Sequence, residues 1–133
     1  MKNAFSCFVF GNYQRFLPYY VFSINENYPD VDIVVFYEKK LNRKIKEYIS
    51  NYNNVVLYED FDFKDNRDWL FNTKIKGGGK KTLLRFLISS EYFQKYNYVY
   101  FGDVDILILK EKIPLFDFHI KQLTKNNLPF SNK

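Results

Sequence analysis

The sequence predicts an α/β domain built on a mostly parallel sheet with flanking helices. Short runs rich in aromatic and β-branched residues recur at Ala4–Phe10, Asp32–Tyr37, Val55–Tyr58 and Tyr98–Phe101. They alternate with segments whose apolar residues repeat at helical spacing, such as Leu41, Ile45, Ile49 and Tyr52. The second run is nearly all apolar, as a strand covered on both faces should be. A β-α-β-α-β-α-β alternation of this kind favours parallel strands joined by right-handed crossovers.

Ala4–Phe10 forms the first strand, stopped by Gly11-Asn12. A helix follows from about Tyr13 to Glu26, with Pro18 tolerated only near its first turn. Tyr28-Pro29-Asp30 is a turn into the second strand. The amphipathic helix carrying Leu41 to Tyr52 is broken by Asn53-Asn54, and Val55–Tyr58 is the third strand. Asp60 to Lys76 mixes Trp69, Leu70 and Phe71 with charges and reads as a loop with at most one short helix. Gly77-Gly78-Gly79 reads as a hinge or a close-approach loop. Leu83 to Tyr92 predicts a second strong helix, with Leu84, Leu87, Ile88 and Tyr92 on one face. The Tyr98–Phe101 strand and an apolar run at Ile106–Leu109 come next. Pro114 opens a last helix through about Thr124, ended by Asn126-Asn127.

A chain of 133 residues is one domain, 1–133, large enough to bury a real core. Aromatics make up 21%, with 15 Phe and 12 Tyr, so the core should be bulky and any cleft rich in tyrosine. The net charge of +5 is spread through interspersed charges with no basic stripe, and nucleic-acid motifs are absent. The single cysteine, Cys7, lies in the first apolar run and suits a reduced, cytoplasmic protein. The N-terminal run is too short for a membrane span and no signal-cleavage pattern follows it. Peripheral membrane contact stays open.

Three Asp-x-Asp triplets occur: Asp30-Val-Asp32, Asp60-Phe-Asp62 and Asp103-Val-Asp105. Two carboxylates one residue apart repel unless a positive group sits between them. The usual partner is a hard divalent cation with oxygen ligands, often shared with the phosphates of a substrate. In a parallel sheet, ligands bind beyond the carboxyl ends of strands. Asp30 and Asp32 precede their strand, and Asp60 and Asp62 look like loop residues. Asp103 and Asp105 directly follow a strand, after Gly102, where glycine lets backbone approach a ligand. The competing reading is a turn between two strands.

Gly77 to Thr82, GGGKKT, fails as a phosphate loop: Lys74 stands where the first glycine belongs, and Lys81 where Ser or Thr must follow Gly-Lys. Lys80, Lys81, Thr82 and Arg85 still open a helix whose N-terminus could hold an anion, the alternative being a solvated basic turn. Arg85, embedded in LLRFL, calls for a dedicated partner. Gly11, Asn12, Tyr13 and Glu38 follow the first two strands and would border the same cleft as Asp103. There Tyr13 could stack on a base, and Asn12 or Glu38 could bond base or ribose, with packing as the alternative. His119 is the only histidine, so neither a Cys/His zinc set nor a supported Ser-His-Asp triad is available.

The segment KTLLRFLISSEYFQKYNYVYFGDVDILILKE resembles the core of the GT-A glycosyltransferases that use an Asp-x-Asp motif, in particular bacterial enzymes of lipopolysaccharide or capsule synthesis. The match falls on Arg85, Tyr98–Phe101 and Asp103-Val104-Asp105, with another short strand expected after the triplet. The resemblance implies that Asp105 coordinates Mn²⁺ or Mg²⁺ bound to a donor diphosphate and that Asp103 contacts the metal or the ribose. It further implies that Arg85 lies near the donor sugar or phosphates and that Gly11 to Tyr13 border the nucleotide. It implies strand order 3-2-1-4. Enzymes of this kind continue for a hundred residues or more past the motif, so the chain resembles their N-terminal, donor-binding half.

The expected function is therefore a glycosyltransferase, or its donor-binding half. It would move a sugar from a nucleotide-diphosphate-sugar, with a UDP-sugar the leading donor, to a glycan or lipid-linked acceptor. The alternative is a non-catalytic nucleotide-binding or interaction module derived from such an enzyme. An oligomer or a missing C-terminal half stays open. A sugar nucleotidyltransferase would need a glycine-rich first loop, which Gly11-Asn12-Tyr13-Gln14-Arg15 is not. A haloacid-dehalogenase-type phosphatase would carry its triplet after the first strand.

Overall fold

The computed structural model describes residues 2–61, 63 and 82–131. Gly77-Gly78-Gly79, Lys80, Lys81, Asp62 and most of the segment expected to be a loop from Asp60 to Lys76 lie outside the described residues. Four strands, β1 (Lys2–Val9), β2 (Asp32–Tyr37), β3 (Val55–Tyr58) and β4 (Tyr96–Phe101), form one sheet in the order β3-β2-β1-β4. Every pairing is parallel, with Phe5 opposite Ile33 and Tyr100, and Val35 opposite Leu57. The strand order implied by the resemblance is therefore the observed one.

Alternate residues of a strand face opposite sides of the sheet, and β1 and β2 bury both. Phe5, Cys7, Val9, Ile33 and Val35 join one cluster, and Ala4, Phe8, Val34 and Phe36 the other. The first cluster is covered by α1 (Leu17–Asn27) and by residues of α2 (Arg43–Ile49) and α3 (Leu115–Asn126). Leu17, Tyr20, Val21 and Ile24 recur at helical spacing on the buried face of α1. The second cluster explains much of the aromatic content: Phe36 stacks on Tyr58 at 5.0 Å and meets Phe61 and Tyr92 edge-on.

The helix expected from about Tyr13 begins instead with a 3₁₀ turn over Gly11–Phe16. The α-helix starts at Leu17, which puts Pro18 in its first turn, where its missing N–H costs nothing. Asn42 caps α2, its side chain accepting the Lys44 N–H at 2.9 Å. Glu59, after β3, accepts the Leu41 N–H at 2.8 Å and pairs with Lys46, tying that strand end to α2. Asn127 ends α3 in the left-handed region at φ 50°, and Leu128 N–H returns to the Leu123 carbonyl at 3.1 Å.

Two expectations are corrected. Leu83 to Tyr92 is not one helix but two 3₁₀ turns, Leu84–Leu87 and Ser90–Phe93, separated where Ile88 turns extended at ψ 126°. Ser89 then opens the second turn by accepting the Glu91 N–H, competing with helix continuation as short hydroxyl side chains do. Leu84, Leu87, Ile88 and Tyr92 nevertheless all pack against the second core cluster. Ile106–Leu109 forms no strand: within it the N–H and carbonyl of Ile108 bond to the Ser23 and Asn27 side chains of α1 rather than to a ladder. Among the described residues no helix is long and apolar enough to cross a membrane.

Candidate functional site

Three strand ends converge beyond the carboxyl edge of the sheet. Glu38 N–H reaches the Val9 carbonyl at 3.3 Å and Gly102 N–H the Ser6 carbonyl at 3.0 Å, so both flanking strands stay registered to β1 at its exit. The chain leaving β1 turns through Gly11, whose φ of +54° suits glycine. Its N–H donates to Glu38 Oε1 at 2.9 Å, and its carbonyl accepts from the Tyr37 hydroxyl at 3.2 Å. Glu38 is thus engaged in holding the first loop. A second strut, Gln14 Oε1 accepting the Asn42 N–H at 2.8 Å, fixes the far side of that loop.

Gly102 is buried, and a Cβ there would lie 2.8 Å from the ring of Tyr100. The glycine makes room for that ring. Beyond it the chain alternates: Asp103 and Asp105 are exposed while Val104 is 5% exposed and belongs to the core cluster beneath α1. Burying the valine turns the carboxylates on either side of it away from the core. The structure places Asp103, Val104, Asp105, Tyr13 and Thr82 around one cleft of about 180 Å³, together with Phe8 and Phe10. That is short of the roughly 300–1,000 Å³ of a complete small-molecule site. Gly11, Asn12 and Glu38 do not line this cleft, Asn12 being an exposed member of the first loop, and Lys80 lies outside the described residues.

Arg85 Nη1 donates to Asp103 Oδ1 at 2.6 Å, the charge-assisted partner its apolar setting called for. Its guanidinium carbon lies 5.3 Å from the Phe86 ring centre, and its Nε is buried without a partner among the described residues. The Asp103 charge reaches into the core. The Cys7 thiol is pushed well above its ordinary range, by burial first and by Asp103 second. The buried Tyr20 phenol is raised by burial, then by Cys7, Tyr100 and Asp103.

Among the described residues no three His, Cys, Asp or Glu side chains cluster as a self-sufficient metal site. Asp103 and Asp105 in a cleft do match the way Mg²⁺ or Mn²⁺ is held by one or two carboxylates plus substrate phosphates. Such a cation fits these residues if diphosphate oxygens and water complete its shell.

Of the other triplets, Asp32 and Asp60 sit where their positions indicated, and Asp62 lies outside the described residues. Asp32 is at the opposite end of the sheet, paired with Lys2 at 3.3 Å and bonded to the Tyr96 hydroxyl at 3.1 Å. Asp60, at φ 48°, belongs to the loop after β3 and lies 3.9 Å from Lys40. His119 packs beside Tyr100 and shares a 2.7 Å hydrogen bond with Ser131. Sequence reasoning missed Phe8 and Phe10 as cleft residues, although their spacing of two near a strand exit was a usable signal. It also missed Ser23 and Asn27, which hold the segment after Asp105 against α1.

No protein-family model matches the sequence, and no curated protein sequence matches it either. Among solved structures the chain is similar to an active-site mutant of LgtC, with a TM-score of 0.63 and 16% identity over 86% of this chain. It is also similar to S. aureus TarS 1–349, with a TM-score of 0.54 and 17% identity over 96% of this chain. It spans 41% of the LgtC chain and 33% of the TarS chain. LgtC and TarS are glycosyltransferases, and at these identities the likeness is one of fold: this chain has a glycosyltransferase-like α/β fold.

Proposed function

We propose that this chain binds a nucleotide-sugar, with a UDP-sugar as first choice, as the donor-binding portion of a metal-dependent glycosyltransferase acting on a glycan or lipid-linked acceptor. The observation that supports it is the pair Asp103 and Asp105 at the exit of β4, in one cleft with Tyr13 and Thr82 and with Arg85 bonded to Asp103. In this reading Asp103 and Asp105 hold Mn²⁺ or Mg²⁺, which when bound neutralises charge on the leaving diphosphate. Tyr13, 45% exposed at the first loop, offers a face for a base. Arg85 supplies donors to diphosphate oxygens, and Glu38 keeps the Gly11 turn in place beside them. The buried free thiol of Cys7 fits a reducing, cytoplasmic setting.

Calorimetric titration of UDP-sugars with and without Mn²⁺ tests this reading. Metal-dependent binding is expected, and the Asp103→Asn/Asp105→Asn double variant should weaken it by more than about 100-fold. Undiminished affinity in that variant sinks the proposal. Binding without donor hydrolysis or transfer identifies a nucleotide-binding module instead.

A further inference from the structure

The bond between Arg85 and Asp103 has a cost for any cation: the carboxylate oxygen that accepts from Nη1 at 2.6 Å is taken by a positive group. From this we infer that Arg85 competes with the metal for Asp103 and transfers to the diphosphate when nucleotide binds, so that cation and nucleotide enter as one unit. This rests on the nucleotide-sugar reading of the cleft.

Three features carry the exchange. The pair is open to water on its Asp103 side, where the side chain is 59% exposed against 23% for Arg85, so another anion can approach from solvent. Arg85 has spare capacity: a guanidinium carries five N–H donors, and the bond to Asp103 uses one of them, from Nη1. Its planar fork matches phosphate oxygens better than it matches the single oxygen it holds. Finally, Mg²⁺ and Mn²⁺ are usually held by one or two carboxylates together with substrate phosphates. Asp103 and Asp105 are two carboxylates in one cleft, one of them already bonded to Arg85. Diphosphate changes both conditions at once, by drawing Arg85 off Asp103 and by adding oxygen ligands.

The test is Mn²⁺ titration followed by electron paramagnetic resonance, with and without UDP, on the wild-type chain and on Arg85→Gln and Arg85→Lys. Wild type should bind Mn²⁺ weakly alone and much more tightly with UDP. Arg85→Gln should tighten Mn²⁺ binding without nucleotide by roughly five- to tenfold and reduce the coupling between metal and UDP by a similar factor. Arg85→Lys keeps the charge but loses the fork, so it should leave Mn²⁺ alone within about twofold of wild type while weakening UDP. It carries the test if Arg85→Gln shows an altered circular dichroism spectrum. UDP binding intact in wild type with no tightening of Mn²⁺ in Arg85→Gln, or no weakening of UDP in Arg85→Lys, overturns the exchange and leaves the donor-site reading standing. Failure of wild type to bind UDP with Mn²⁺ overturns both.

Discussion

The backbone N–H of Ile108 donates to the Ser23 hydroxyl at 3.0 Å, joining α1 to the segment after Asp105 across 85 residues of chain. The same hydroxyl donates to the Tyr20 carbonyl at 2.9 Å, and the Asn27 amide reaches the Ile108 carbonyl at 3.1 Å. Both polar backbone groups of Ile108 are thus satisfied by side chains of one helix. With Ile108 buried beside Val104, this anchor fixes the chain on the far side of the carboxylate pair.

Replacing Ser23 by alanine leaves the buried Ile108 N–H without its acceptor, a cost of about 1–3 kcal/mol. Urea unfolding should show a lowered midpoint with an unchanged slope. An unchanged midpoint means that another acceptor replaces Ser23 there.

Gly102→Ala places a methyl group 2.8 Å from Cε1 of Tyr100. That ring stands edge-on to Phe5 at 5.6 Å and beside His119 at 6.1 Å, so it has little room to yield. Overpacking of this kind costs about 1–3 kcal/mol. In a Tyr100→Ala background most of that penalty should disappear, since the clashing partner is gone. Equal penalties in the two backgrounds would mean that Gly102 is required for its backbone instead.

Alkaline pH should destabilise the protein in a window set by Cys7 and Tyr20, whose pKa values are both raised in the folded state, chiefly by burial. In the unfolded chain a thiol ionises near about 8.5 and a phenol near about 10. Above those values the unfolded state sheds protons that the native state retains, which favours unfolding. Stability from these groups is therefore complete below about pH 8.5 and falls as pH climbs toward the folded values. Melting temperatures of wild type and Cys7→Ala should follow different slopes from pH 8.5 to 10. Parallel slopes refute the assignment to Cys7.

Where local chemistry and burial agree, the sequence was readable. Asp32–Tyr37 and Val55–Tyr58 are strands over the spans expected, because each is an apolar run bounded by turn residues. The Leu83–Tyr92 pattern reported burial correctly and conformation wrongly. Leu84, Leu87, Ile88 and Tyr92 reach one core, but periodicity cannot see that Ser89 offers the backbone another partner. Ile106–Leu109 misled for the opposite reason, since nothing local reveals hydrogen bonds to Ser23 and Asn27. Position relative to strand ends distinguished Asp103 and Asp105 from the other triplets, and Asp32 indeed lies at the opposite end of the sheet. The bond from Arg85 to Asp103 was legible only as a need for some partner.

The pairing of β4 with β1 sets Val99 opposite Ala4, so two segments far apart in sequence must meet before Asp103 has a place to stand. Closing so long a loop costs chain entropy before this seam of paired strands forms. A ligand gripping Asp103 from one side and the first loop from the other would act as a clasp across the seam. Amide hydrogen exchange should then slow at Gly102, whose N–H bonds to Ser6, when Mn²⁺ and UDP are added together. Protection at Gly102 would then read occupancy of the cleft directly at the sheet edge.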